Sequence, residues 1–198
     1  MSEEPISLNL IVLGNSTVGK TSYLFRITEN EFRQTIPTIG YDIISKTIEL
    51  KNGKKVKVKY TDTSGQEKFH SLASNFIKKT DGIILMYDIT NRESFDTISN
   101  WWDDILNNKE KDFPVILVGN KCDLENERMV QKEEGENIAK EYNVKFYETS
   151  NKDGINIEES SRELIRMVLN YNSNDISSQK LSKKKLKRRS CIFSKIKC

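Results

Sequence analysis

Apolar positions change period along this chain, and the changes divide it into alternating strands and helices. Ile6 to Leu13 is a short apolar run of strand length, and Ser22 to Ile27 can continue a helix. From Thr28 to Thr38 (TENEFRQTIPT) the periodicity lapses and a proline appears, which marks a loop. Tyr41 to Leu50 and Lys54 to Thr61 flank Asn52-Gly53, a hairpin signal. In the second arm Val56, Val58 and Tyr60 alternate with Lys55, Lys57 and Lys59, so one face is buried and the other is wet. Gly82 to Asp88 (GIILMYD) and Val115 to Gly119 read as fully buried strands, and Glu93 to Leu106 as one helix with Phe95, Ile98, Trp102 and Ile105 on its inner face. A helix over Lys132 to Tyr142, a strand over Lys145 to Glu148, a loop over Thr149 to Gly154 and a helix to about Tyr171 complete the body. Strands alternating with helices at this spacing predict an α/β fold with a mostly parallel sheet covered on both faces, and ligands in such folds bind beyond the carboxyl ends of the strands.

The segment joining the first strand to the first helix carries chemistry. Gly14 to Thr21 reads GNSTVGKT, the Gly-x-x-x-x-Gly-Lys-[Ser/Thr] spacing of a phosphate-binding loop. Small residues let successive N–H groups of Gly14, Asn15, Ser16, Thr17, Val18 and Gly19 turn onto phosphate oxygens, and the positive end of the following helix dipole points at the same charge. Lys20 would reach the outer phosphates and Thr21 would put its hydroxyl on Mg²⁺. Asp62, after the second hairpin arm and followed by Thr63-Ser64-Gly65-Gln66-Glu67, is placed to hold the same ion through water. An isolated aspartate at a strand end would otherwise be a turn residue.

Composition adds a second element. The 198 residues suit one domain with an appendage, and the three cysteines at 122, 191 and 198 fit neither a disulfide framework nor a zinc spacing. No apolar stretch is long enough to cross a bilayer, and MSEEPIS lacks the features of a signal peptide. The net charge of +3 is unevenly placed. Residues 173–198 carry nine Lys/Arg and one acidic residue; the body keeps 28 acidic against 23 basic residues, a net of −5. The reading is therefore a domain over 1–172 and a disordered basic tail over 173–198, with Lys183 to Arg189 (KKKLKRR) suited to anionic lipid, nucleic acid or a nuclear address. No base-stacking aromatic platform favours nucleic acid.

Asn120-Lys121-Cys122-Asp123, directly after a buried strand, would select the base. Guanine presents N1–H and N2–H₂ together to one carboxylate, whereas adenine presents a bare acceptor at N1, so Asp123 would accept guanine and reject adenine. Lys121 can lay its stem over the ring, and Asn120 can tie this loop to the phosphate loop.

The ordered set GNSTVGKT, Thr38, DTSGQE, NKCD and Thr149-Ser150-Asn151-Lys152 resembles the Ras superfamily of small GTPases over residues 6 to about 171, and GIILMYDIT with the cysteine-bearing basic tail is most similar to its Rab family. The resemblance implies a three-layer P-loop GTPase fold: a six-stranded, mostly parallel sheet with one antiparallel strand and helices on both faces. It implies that Lys20 and the loop amides bind phosphates, that Thr21 and Thr38 ligate Mg²⁺ with Asp62 behind a water, that Gly65 senses the γ-phosphate, and that Gln66 orients the attacking water. Phe32 would lie near the guanine edge, with Ser150, Asn151 and Lys152 closing the other side. It further implies GTP and GDP as bound nucleotides, partners of the GEF, GAP, GDI or escort and effector kinds, and a monomer. The protein would cycle between the cytosol and the cytosolic face of an endomembrane, held there by prenylation of Cys198, Cys191 or both. The function implied is a slow GTPase switch in vesicle traffic; a GTP-held scaffold with little turnover and a Ras-like signalling GTPase are the alternatives.

The chain departs from the family pattern at definite places. Ser64 stands where the family has alanine, and Asn151 where it has alanine in the base loop. The stretch between Phe32 and Thr38 is one residue short, and Ile43, Thr61 and Phe76 occupy positions where Rab proteins commonly carry three effector-facing aromatics. Ser16 and Thr17 replace two Ras glycines, so side chains sit close to the attacking water and slow turnover is expected. The single His70 reads as a partner contact or a bystander, since Gln66 fills the water-orienting place.

Overall fold

The computed structural model describes residues 6–33, 35, 38, 40–50, 53–64, 70–110 and 112–173. Six strands, β1 (Ile6–Leu13), β2 (Tyr41–Glu49), β3 (Lys55–Thr63), β4 (Gly82–Asp88), β5 (Val115–Asn120) and β6 (Lys145–Thr149), form one sheet in the order β2-β3-β1-β4-β5-β6. Only β2 runs antiparallel, paired with β3 from Tyr41 opposite Thr63 to Glu49 opposite Lys55. The helices are α1 (Lys20–Glu29), α2 (His70–Lys79), α3 (Arg92–Asp96), α4 (Ile98–Leu106), α5 (Lys132–Tyr142) and α6 over 157–173.

Strand alternation splits the apolar runs between two cores. Leu8, Leu10, Val12, Val56, Val58, Tyr60, Ile84, Met86, Ile116 and Val118 pack under Tyr23 and Leu24 of α1 and Leu164 and Val168 of α6. Ile11, Leu13, Ile83, Leu85, Val115 and Leu117 pack under Ile77 of α2, Phe95 of α3, Trp101, Trp102 and Ile105 of α4 and Ala139 of α5. All residues of β4 and β5 are buried. Each large apolar side chain withdrawn from water contributes about 1.5–3 kcal/mol. That gain holds the central strands rigid, and their carboxyl ends carry the polar residues.

Five local features differ from the sequence reading. The helix expected over Glu93 to Leu106 is two helices with Thr97 between them at φ −84°, ψ −3°. Trp101, absent from the expected inner face, is buried alongside Trp102. Helix α1 continues through Thr28 and Glu29 and is stopped by Asn30 in the left-handed region, whose N–H donates to Arg26 O. Helix α2 was not read from the polar stretch that contains it, and β3 runs on through Asp62 to Thr63.

The sheet order sets the site. Gly14 after β1, Asp62 in β3, Asp88 at the end of β4, Asn120 at the end of β5 and Thr149 at the end of β6 lie on five neighbouring strands. Their polar groups therefore meet along one edge.

Candidate functional site

A loop with its amides turned inward has to leave β1 sharply. Gly14 does this at φ 136°, where an added Cβ would lie 2.0 Å from Met86 O. Val18 plugs the loop into the core, while Thr17 is exposed at φ 65°, a position a β-branched residue rarely adopts. Gly19 starts α1, whose first turn has no acidic residue to offset its positive end. Lys20 folds back over the loop, donating from Nζ to Gly14 O at 2.9 Å and Asn15 O at 2.7 Å. Burial lowers its pKa to about 8 against the opposing pull of Asp62. A buried ammonium, a helix N-terminus and turned-in amides together form a receptor for a polyanion.

Beside Lys20, three oxygen ligands of hard character converge. Thr21 Oγ1 donates to Asp62 Oδ2 at 2.6 Å, Thr38 Oγ1 donates to the same oxygen at 3.2 Å, and the two hydroxyls are 2.9 Å apart. Burial raises the pKa of Asp62, opposed by the Thr21 hydrogen bond and by Lys20. Its Oδ1 is buried without a hydrogen-bond partner. A buried carboxylate oxygen with unused lone pairs beside two hydroxyls fits a small divalent cation that retains waters. Among the described residues no cluster of three or more His, Cys, Asp or Glu offers a different metal site.

The opposite end of the site is built from loops after β5 and β6. Asn120 is buried, donates from Nδ2 to Val18 O at 2.8 Å and accepts from Thr149 Oγ1 at 3.1 Å. Asp123 Oδ1 accepts from Ser150 Oγ at 2.6 Å, which orients the carboxylate. Lys121, at φ 69°, pairs its ammonium with Asp88 Oδ2 at 2.5 Å. Asp88 Oδ1 in turn accepts from the N–H and hydroxyl of Thr90. Asn151 donates from Nδ2 to Gly19 O at 2.9 Å, and Arg26 donates from Nη2 to Lys152 O at 3.0 Å.

Lys20, Thr21, Thr38, Asn120, Lys121, Asp123, Asn151 and Lys152 line one cleft of about 530 Å³, with Ser16 and Phe32 also among its walls. Ser64 is buried at its edge, its N–H donating to Gly40 O at 3.1 Å. Gly65, Gln66, the His70 side chain and the tail with Cys191 and Cys198 lie outside the described residues. On the outer surface beside the cleft, Tyr41 and Ile43 are exposed and the Tyr41 ring lies 4.7 Å from that of Phe76. The sequence reading placed no role on Asp88, Arg26 or the Asn151 side chain. Asp88 was embedded in an apolar strand motif, and contacts from Arg26 or Asn151 to main-chain carbonyls more than 120 residues away leave no local pattern.

Comparison with known proteins gives a consistent picture. The Ras family model matches residues 9–170. The chain is 45% identical over 161 residues to Ras-related protein Rab-10 of Diplobatis ommata, covering 81% of this chain and 80% of the relative. It is 44% identical over 173 residues to human (Homo sapiens) Ras-related protein Rab-8B, covering 85% and 83%, and 44% identical over 160 residues to Rab-8A of Rattus norvegicus, covering 80% and 77%.

Proposed function

Because the chain belongs to the Ras family of small GTPases, we propose that it is a Rab-type switch in vesicle traffic whose nucleotide lies in the cleft between Lys20 and Asp123. It hydrolyses GTP to GDP and phosphate. The observation that carries the site assignment is the single cleft joining a polyanion receptor at Lys20 to a carboxylate oriented by Ser150 at Asp123. A GTP-held scaffold and a Ras-like signalling protein are less well supported, given relatives named Rab over four-fifths of the chain.

In this reading the amides from Gly14 to Thr21 and the Lys20 ammonium hold the β- and γ-phosphates and stabilise charge as it spreads onto their oxygens. Thr21 and Thr38 would hold Mg²⁺ directly and Asp62 through water. Held by these residues, Mg²⁺ would supply positive charge against the charge that develops on the phosphates. Gln66 orients the attacking water, and Gly65 donates its N–H to the γ-phosphate. Asn120 fixes the base loop to Val18, Lys121 lies along the ring, and Asp123 accepts from guanine N1–H and N2–H₂. Phe32 borders the guanine edge, with Ser150, Asn151 and Lys152 on its far side. Loss of the γ-phosphate frees the loops around Thr38 and Gly65, a change that effectors read.

GEF, GAP, GDI or escort and effector partners would act on those loops and on the Tyr41–Phe76 surface. The basic tail, prenylated on Cys198, Cys191 or both, would hold a monomer on the cytosolic face of an endomembrane. No helix among the described residues is long and apolar enough to cross a membrane.

Purified protein is expected to carry GDP and to lose GTP hydrolysis by about ten- to a hundredfold on Gln66→Leu, since the attacking water loses an orienting hydrogen bond and about 1.4–2.7 kcal/mol of barrier corresponds to that factor. Bound ATP, or a Gln66-independent rate, would overturn the reading. The Lys121–Asp88 pair yields a second prediction. Asp88→Asn keeps the acceptor for Thr90 but weakens the hold on Lys121. It is expected to speed GDP release about three- to tenfold with little change in Tm, measured with a fluorescent GDP analogue. An unchanged release rate would show that Lys121 needs no such support.

A further inference from the structure

The phosphate loop is gripped from outside the cleft by helix α4. Asn15 Oδ1 accepts from Thr97 Oγ1 at 3.0 Å and from Trp101 Nε1 at 3.0 Å. An amide oxygen has two lone pairs, so these two donors use its capacity and decide which way the Asn15 amide faces. The main-chain carbonyl of the same Asn15 accepts from Lys20 Nζ at 2.7 Å. One residue thus joins the anchor of Lys20 to a helix on the other side of the loop.

Thr97 joins α3 to α4 with a right-handed helical backbone, its N–H donating to Glu93 O and its carbonyl accepting from the Trp101 N–H, and Trp101 follows four positions later, one helical turn on, so both side-chain donors face the same point. The Thr97 hydroxyl also lies 3.2 Å from Ser94 O, the longer of its two contacts. Trp101 is 3% exposed, which keeps water from replacing its hydrogen bond.

We propose that Thr97 and Trp101 are positioning residues for nucleotide binding and hydrolysis: by holding Asn15 they set the loop carbonyl that aims Lys20 at the β- and γ-phosphates. The inference rests on the phosphate-site reading above. Helix α4 is then mechanically continuous with the phosphate loop. The Trp101 indole becomes a built-in reporter of the nucleotide state.

A double-mutant cycle tests the proposal on the full chain. Trp101→Phe keeps an aromatic ring without the N–H, Thr97→Val keeps the shape without the hydroxyl, and Asn15→Leu removes the shared acceptor. Trp101→Phe and Thr97→Val are each expected to raise GDP release about three- to tenfold. In the Asn15→Leu background Trp101→Phe should add nothing further, because the bond is already absent. Trp102→Phe, which alters the neighbouring ring stacked on Tyr142, should leave release unchanged. The Trp101 indole ¹H–¹⁵N resonance should shift between GDP and a non-hydrolysable GTP analogue in wild type and lose that shift in Asn15→Leu. Equal effects of Trp101→Phe in both backgrounds would reduce Trp101 to a packing residue and overturn the proposal. An unchanged GDP release rate in Trp101→Phe would do the same. Lys20→Ala separates the two readings: if it leaves GDP affinity intact the phosphate site itself is misplaced, and if it alone weakens binding only the role of α4 fails.

Discussion

Asp123→Ala is expected to lower GDP affinity by about a hundred- to ten-thousandfold and to erase the preference for guanine over hypoxanthine. Each hydrogen bond from a neutral donor to a charged carboxylate is worth about 1.5–3 kcal/mol, and guanine makes two of them in the proposed pose. Ser150 Oγ, which donates to Asp123 Oδ1 at 2.6 Å, is buried and would lose its acceptor as well. The check is a competition titration with GDP, IDP and ADP. Wild type should rank GDP above IDP, which lacks the N2 amino group, and both far above ADP; the variant should bind GDP and IDP alike. If GDP binding survived the substitution with its selectivity intact, another group would be reading the base.

The second large effect is on the fold. Gly14→Ala places a Cβ 2.0 Å from Met86 O and 3.0 Å from Met86 C, at a φ of +136° that L side chains rarely adopt. Met86 cannot retreat, since β4 is buried throughout and hydrogen-bonded to β1 on one side and β5 on the other. A loss of about 3–5 kcal/mol is expected, which for a chain of this size lowers Tm by about 6–20 °C. Gly40→Ala is the contrast. Its Cβ meets nothing within 4 Å, so only the backbone cost of φ +81° applies, about 1–2 kcal/mol. Thermal unfolding of both variants in saturating GDP distinguishes steric collision from simple loss of glycine freedom; equal Tm values would mean that the β1 exit adapts by moving backbone.

Much of this site is legible in order along the chain because each chemical group lies at or just past the carboxyl end of a strand. GNSTVGKT after Ile6 to Leu13, Asp62 after the alternating Val56-Val58-Tyr60 arm, and NKCD after Val115 to Gly119 each combine a local motif with a hydrophobic period. The parallel sheet and its single antiparallel strand follow from the same alternation and from the Asn52-Gly53 turn. The break at Thr97 was not legible, because Glu93 to Leu106 keeps a helical period of apolar residues across it. The Thr97 hydroxyl there donates to Asn15, 82 residues earlier, a contact that no local pattern announces. Helix α2 is short: its apolar residues Leu72, Ala73, Phe76 and Ile77 span less than two turns, too few to mark a helix on their own.

Sequence alone determined the class of chemistry. Spacing dictates which amides, ammonium, hydroxyls and carboxylates can be brought to strand ends, and residue type dictates what each can bind. Tertiary structure alone decided how those groups hold one another. Asp88 under Lys121, Arg26 on Lys152 O, Asn151 on Gly19 O and Trp101 on Asn15 are side-chain contacts between segments far apart in the chain. No periodicity encodes them, since a hydrogen bond depends on the final distance and direction between two atoms, and those exist only once the sheet order has set neighbouring strand ends side by side.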